Sequence, residues 1–246
     1  MVTAGKRNLA VVSKDNLIYF YGGSKNNHYT TSTYDSNNWY KVGFKDGLAE
    51  NEQIIDISSG NHFTVLVTSL GYLYGVGEYI MNAVNKAPHE GEARFTKLKL
   101  PVHLKAYRAW ASRAKYCQAI IVDVENELTH ERYLVSIGKH MSSLLGTNTD
   151  ENEEFKILDY DYKHVQFEKV SLLTNHALAV TKNGELYGWG SNVNRKLGFS
   201  EDTVLVSKPT LVPYFSDRNH FKVIDVACGD EHSFVHVEEF DDLGVS

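Results

Sequence analysis

Few residues in this 246-residue chain stand at spacings that do chemistry. His232 and His236 are four apart, and Glu127 and His130 are three apart. Such pairs gather metal ligands on one face only if the segment is a helix. The stretch from His232 to His236 reads as a strand, where four residues span about 13 Å, too far to share one ion. Glu127 and His130 have no further ligand near them in sequence, and there is no Cys-x-x-Cys pair. The strained Gly-x-Ser-x-Gly turn of a hydrolase nucleophile is absent. Gly75-x-Gly77 and Gly188-x-Gly190 match part of a dinucleotide loop, but they lack a third glycine and do not open a helix. The paired carboxylates Glu153-Glu154 and Glu238-Glu239 have little apolar around them to raise a pKa. No catalytic residue, cofactor or metal is expected, and the chain does not read as an enzyme.

The histidines lead back to the elements that must position them. His176 and His232 occupy the same place in a repeated unit, where a ring is expected to bond neighbouring backbone. The clearest unit runs from Phe167 to Gly198. Alternating small and apolar residues reach Thr181, a turn follows at Lys182-Asn183-Gly184, and a second apolar run comes back through Leu186-Tyr187-Gly188-Trp189-Gly190. Asn-Gly between two such runs is a strong hairpin signal, because both turn residues must accept positive φ. With Leu173 as position zero, Gly190 stands at +17, and Gly5 to Gly22 and Gly60 to Gly77 repeat that span. Thr181, Thr68 and Ser13 share +8; Gly184, Gly71 and Asn16 share +11; Tyr187, Tyr74 and Tyr19 share +14. A third copy from Arg113 to Gly138 carries eight extra residues in its hairpin, and Gly138 to Gly146 then matches Gly190 to Gly198. A last copy opens at Gly229. The start points 5, 60, 113, 173 and 229 set a period near 55.

A β-rich unit with aromatics and glycines at fixed offsets and this period reads as a propeller blade of about four short strands. The fold expected is all-β, a β-propeller of four full repeats plus part of a fifth, in one domain. The repeats fall at about 1–55, 56–108, 109–168, 169–224 and 225–246. At Val226-Ala227-Cys228-Gly229-Asp230-Glu231-His232-Ser233, and from His176 to Asn192, the sequence resembles repeats of the regulator of chromosome condensation family. That resemblance implies a propeller, usually of seven blades. The chain opens inside a repeat, since Val2-Thr3-Ala4-Gly5 matches Val226-Ala227-Cys228-Gly229. Three arrangements are therefore open: a small closed ring, a piece of a larger ring, or an open array capped by a partner. The resemblance favours the latter two. In the first unit Gly22-Gly23, Tyr34 and Trp39 also match a kelch blade, although later copies lack the double glycine.

Twenty-five basic and 31 acidic residues give a formal charge of −6. That balance supplies no general attraction for nucleic acid or an acidic membrane. No apolar run approaches the ~20 residues of a membrane helix. Cys117 and Cys228 fall at different phases of the repeat, so no pairing is expected. Few cysteines and no glycosylation sequon point to a reducing, cytoplasmic or nuclear setting. Trp39, Trp110 and Trp189 read as core rather than stacking platforms, and the acidic run at 150–154 as a solvated loop.

What remains is a rigid scaffold that displays loops of unequal length. The long third hairpin, between Ala119-Ile120-Ile121-Val122-Asp123-Val124 and Arg132-Tyr133-Leu134-Val135-Ser136-Ile137, should project at its tip. With the loops at 24–38 and 79–94 it supplies the candidate partner-binding residues Glu125, Asn126, Glu127, His130, Arg132, Tyr79 and Arg94. The first functional expectation is a non-catalytic protein-interaction or scaffold module within an assembly, with partners that complete or cap the propeller. The family resemblance implies two others: nucleotide exchange on a Ran-like small GTPase, with the hairpin tip as wedge, or service as the targeting propeller of a larger HECT-type ligase or kinase.

Overall fold

The computed structural model describes residues 1–6, 8–22, 38–77, 94–114, 118–139, 144–147, 151–160, 165–216 and 221–240. Each repeat folds as an antiparallel meander. The first blade is β1 (Val2–Ala4), β2 (Asn8–Val12), β3 (Ile18–Gly22) and β4 (Trp39–Phe44). The second is β5 (Ile54–Ser59), β6 (Phe63–Thr68), β7 (Leu73–Gly77) and β8 (Arg94–Lys97). The third is β9 (Leu104–Ala111), β10 (Gln118–Asn126), β11 (Arg132–Lys139) and β12 (Glu151–Ile157). The fourth is β13 (Phe167–Leu172), β14 (His176–Thr181), β15 (Leu186–Ser191) and β16 (Leu205–Leu211). A two-stranded sheet of β17 (Phe221–Cys228) and β18 (Ser233–Glu239) begins a fifth. This is the β-propeller of four repeats and part of another that the period indicates. A short helix, α1 (Pro213–Ser216), packs against β17. The first two blades also join edge to edge, with β4 parallel to β8 at Gly43↔Arg94 and Phe44↔Phe95.

The repeated residue types have local causes. At +11, Asn16, Gly71 and Gly184 all take positive φ, and their N–H groups bond back to Ser13, Thr68 and Thr181 at +8. The hydroxyls of Ser13 and Thr181 then accept from the returning chain, Leu17 N–H to Ser13 Oγ at 3.2 Å and Glu185 N–H to Thr181 Oγ1 at 3.0 Å, while the Thr68 hydroxyl donates to the Glu52 carboxylate. Glycine at +17 is demanded by close approach. A Cβ on Gly190 would sit 2.5 Å from the Asn175 carbonyl oxygen, and one on Gly138 1.8 Å from that of Gln118.

The apolar core lies between successive blades. Every residue of β6, β14 and β15 is buried, because a neighbouring blade covers each face. That is why these strands read as continuous apolar runs. Trp189 and Tyr187 are fully buried among residues of the third and fourth blades, and the Trp189 indole N–H donates to Leu144 O at 2.8 Å. Tyr74 is buried between the first two blades, while Tyr19 is half-buried.

The first strands β1, β5, β9, β13 and β17 neighbour one another in chain order. A hydroxyl two residues before position zero reaches forward to the next blade's first strand. Thr3 Oγ1 accepts from Ser59 N–H at 3.0 Å, Ser58 Oγ from Ala111 N–H at 3.0 Å, and Ser171 Oγ from Cys228 N–H at 2.9 Å. The same place on the third blade is Trp110. There Arg108 donates to the Glu168 carbonyl, and Ser112 Oγ donates to Leu173 O at 3.3 Å.

Two local readings change. The acidic run at 150–154 does not form a loop throughout: Glu151–Ile157 is β12, paired to β11, with Asn152 buried and bonded to Ser136 and Thr147. Asn152 and Phe155, three residues apart and separated by a register shift in the β11–β12 ladder, are both buried, while Glu153 and Glu154 stay exposed. In the third blade, position zero is Ser112 rather than Arg113. Its N–H bonds Ala119 O, as Gly60 N–H bonds Phe63 O and Gly229 N–H bonds His232 O. Ala119 then pairs with Gly138 as His176 pairs with Gly190. The extra residues are thus divided between the lead into β10 and the hairpin itself. The loop surfaces expected at 24–38 and 79–94 fall almost entirely on residues 23–37 and 78–93, outside the described residues.

Candidate interaction site on the third blade

The apolar strand β10 carries one carboxylate in its middle, Asp123, which is 2% exposed. A carboxylate there requires a cation. Arg132, at the start of the returning β11, supplies it: Nε donates to Asp123 Oδ1 at 3.1 Å and Nη2 donates to Oδ2, a two-pronged pair. Burial holds the Asp123 carboxyl above its usual range, and Arg132 opposes that shift. The guanidinium lies over the Tyr107 ring of β9, 3.9 Å from its centroid, and Glu125 Oε2 stands 3.9 Å from Nη1. Burial raises the Tyr107 phenol, with Glu125 adding to it.

This lock anchors a tip that closes on itself. Asn126 Oδ1 accepts from Leu128 N–H at 2.9 Å and from Thr129 N–H at 3.3 Å, and Asn126 O accepts from His130 N–H at 2.8 Å. His130 takes φ 57° and places Nδ1 3.2 Å from Glu125 Oε1. Glu127 N–H donates to His103 O at 2.8 Å, and Glu127 Oε1 receives Lys105 Nζ at 2.7 Å. The Glu127 carboxylate holds the Lys105 ammonium above its ordinary pKa. The hairpin is therefore no free arm. β9 lengthens with it, pairing as far as Leu104↔Asn126, and the turn before β9 is bonded to its tip. Leu128 and Val102 stand out from this frame, 68% and 75% exposed.

Of the seven partner-binding candidates, Glu125, Asn126, Glu127, His130 and Arg132 come together here. Arg94 opens β8 and pairs with Gly43 of the first blade, and Tyr79 lies outside the described residues. Asp123, Tyr107, Lys105 and His103 join the site although no motif marks them. An aspartate inside the run Ala119 to Val124 is the available signal for the first.

The seam between the fourth blade and β17–β18 holds a second polar group. His176 is fully buried, with Nε2 2.9 Å from Ser233 Oγ and Nδ1 3.4 Å from Asn175 Oδ1. Hydroxyl, imidazole and amide in a row have the order of a nucleophile and its base. Burial, and then Lys196, lower the His176 pKa to about 4, too weak a base to activate a hydroxyl at neutral pH. The group instead ties two blades, and the buried Lys196 ammonium adds a 3.0 Å pair to Glu231. His232 stacks edge-on against Phe234, with ring centroids 5.2 Å apart, and its ring fills the space beside Gly229. Cys228 is a free thiol whose pKa burial pushes up to about 11. Among the described residues, no three of His, Cys, Asp and Glu gather to hold a metal ion, and no helix is long and apolar enough to cross a membrane.

Comparison with known proteins places the chain. Residues 183–236 match the family described as regulator of chromosome condensation (RCC1) repeat. The guanine nucleotide exchange factor SRM1 of Saccharomyces cerevisiae is 23% identical over 203 residues, 79% of this chain and 39% of that protein. The human RCC1 domain-containing protein 1 is 38% identical over 71 residues, 29% of this chain and 18% of that protein. The crystal structure of human WBSCR16 superposes with a TM-score of 0.73 at 19% identity, covering 97% of this chain and 57% of that one. The chain thus spans about two fifths of SRM1 and just over half of WBSCR16.

Proposed function

We propose that this chain, a divergent relative of the RCC1 repeat family, acts as a non-catalytic protein-interaction module, a single propeller domain spanning 1–246 that works inside a cytoplasmic or nuclear assembly. The observation that carries this reading is the closed tip of the third blade, which offers Leu128 and Val102 on a frame fixed by Asp123, Arg132 and Tyr107. A contact surface that is ordered before binding loses little entropy on association. Exposed aliphatic side chains on the same tip as the Lys105–Glu127 pair and His130 match an apolar anchor with a polar rim. The net charge of −6 supports protein partners over nucleic acid.

The test is quantitative capture from the native source with wild-type chain and with Leu128→Asp. Partners that use the tip should fall at least about tenfold in the variant while its circular dichroism is unchanged. A partner set unaffected by Leu128→Asp removes the tip from the proposal. A second reading is nucleotide exchange on a small GTPase, favoured by the likeness to SRM1 over 79% of the chain. It predicts accelerated nucleotide release from a Ran-like GTPase, and loss of that acceleration in Leu128→Asp.

A further inference from the structure

The basic residues of this chain are unevenly placed. Residues 93–122 hold seven Lys and Arg and no Asp or Glu, in a chain whose formal charge is −6. Some of these cations are already engaged: Lys105 pairs with Glu127, and Arg108 donates to the Glu168 carbonyl. Lys97 and Lys99 differ. Both are exposed, and among the described residues neither has a carboxylate partner. Lys97 Nζ stands 2.9 Å from the centroid of the Tyr72 ring, which holds the ammonium over an exposed aromatic side chain. The carboxylates around it are occupied elsewhere. Glu127 is on Lys105, Glu125 faces Arg132 and His130, and Glu52 is buried on Thr68. Asp46 stands near the Tyr74 phenol and makes no ion pair with either lysine.

Tyr72 belongs to the second-blade turn, and that turn is fastened to the third-blade tip. Ala106 N–H donates to Gly71 O at 2.9 Å. The Lys105 stem lies against Gly71, where a Cβ would come 2.7 Å from Lys105 Cβ. The Lys105 ammonium then reaches Glu127, whose N–H bonds His103 O. Leu70 and Tyr72 on the turn, Val102 next to His103, and Leu128 at the tip are all exposed. The two blades thus carry one surface, apolar along its length and cationic on its second-blade side.

We infer that this surface docks an acidic, extended segment of a partner protein, with carboxylates on Lys97 and Lys99 and aliphatic side chains over Leu70, Val102 and Leu128. This deepens the reading of the tip as a protein-interaction site and rests on it. Attraction between carboxylate and ammonium speeds encounter and sets orientation, while apolar contact holds the complex. A nucleic acid fits less well. A phosphate backbone needs a row of unpaired cations, and here two lysines border an apolar strip that also carries Glu127.

The probe is a fluorescent Asp-Glu-Leu-Leu-Asp-Glu peptide, capped at both ends and titrated into the intact chain. Expected is saturable binding that weakens as salt rises. It should be lost when the acids of the peptide become Asn and Gln, or its leucines serine. Lys97→Glu with Lys99→Glu should weaken binding at least about tenfold while circular dichroism is unchanged. Because Lys97 lies on Tyr72, Lys99→Glu alone serves as a second variant and should shift binding in the same direction. In capture from the native source, partners lost with Leu128→Asp but kept with the lysine variants would overturn the acidic segment and leave the tip as an interaction site. Partners kept with both would remove the tip, and the acidic segment with it. Absence of saturable peptide binding, binding indifferent to the lysine variants, or tighter binding of an oligonucleotide of equal charge to the same lysines overturns the inference.

Discussion

His176 shows how one side chain can report on a whole seam. It is neutral in the fold because burial and the nearby Lys196 ammonium lower its pKa from 6.5 to about 4. The unfolded chain takes up a proton below pH 6.5, and the folded chain does so only near pH 4. Between these values the unfolded state binds more protons, so stability falls as pH drops through the window. The contribution is intact above pH 6.5 and at most about 3 kcal/mol is lost by pH 4. Denaturant melts of wild type and His176→Gln at steps from pH 7.5 to 4 should differ in slope within that window. Parallel curves would mean that the imidazole titrates normally. The sequence places His176 in phase with the architecture but not on Ser233, since a partner 57 residues away belongs to the next blade. The same limit hides Tyr107 from a sequence reading of the third-blade site: nothing local marks a tyrosine that will lie under a guanidinium on another strand.

Elements are more legible than contacts. The hairpins at Asn16, Gly71 and Gly184 follow from turn chemistry carried within a few residues, and they appear where the +11 positions place them. β12 is not legible, because its acidic residues describe its exposed face and only Asn152 and Phe155 describe what it packs against. The seam hydroxyls Thr3, Ser58 and Ser171 are visible as small polar residues in strands, but their use depends on a neighbouring blade. Each accepts a backbone N–H that would otherwise go unpaired between blades. Ser58→Ala or Ser171→Ala should therefore cost about 1–2 kcal/mol, above the effect of removing an exposed hydroxyl. For a chain of this size that lowers the melting temperature by roughly 2–8 °C. Calorimetry checks both, with Ser69→Ala, whose hydroxyl accepts an exposed N–H of Gln53, as the small-effect comparison.

At the scale of the molecule, each blade packs mainly on the blades before and after it in the chain. Stability is then close to a sum of blade terms and seam terms, as in other repeat arrays. The fifth unit, two-stranded among the described residues, has its seam to the fourth blade through Ser171, His176 and Lys196, and there little core of its own beyond Val223. Its local opening should require the least free energy among the units, and hydrogen exchange resolves this residue by residue. Inward-facing amides of β18, those of Phe234 and His236, bond to β17 and should be protected for as long as that seam holds. Those of Ser233, Val235 and Val237 face away from β17 and should exchange at nearly the rate of an open chain. The alternation matters more than the mean. Uniformly fast exchange would show that the fifth unit frays as a whole, while uniform protection would show that a strand already occupies the edge of β18. Only the alternating pattern shows a β18 that is paired to β17 and to nothing on its other side.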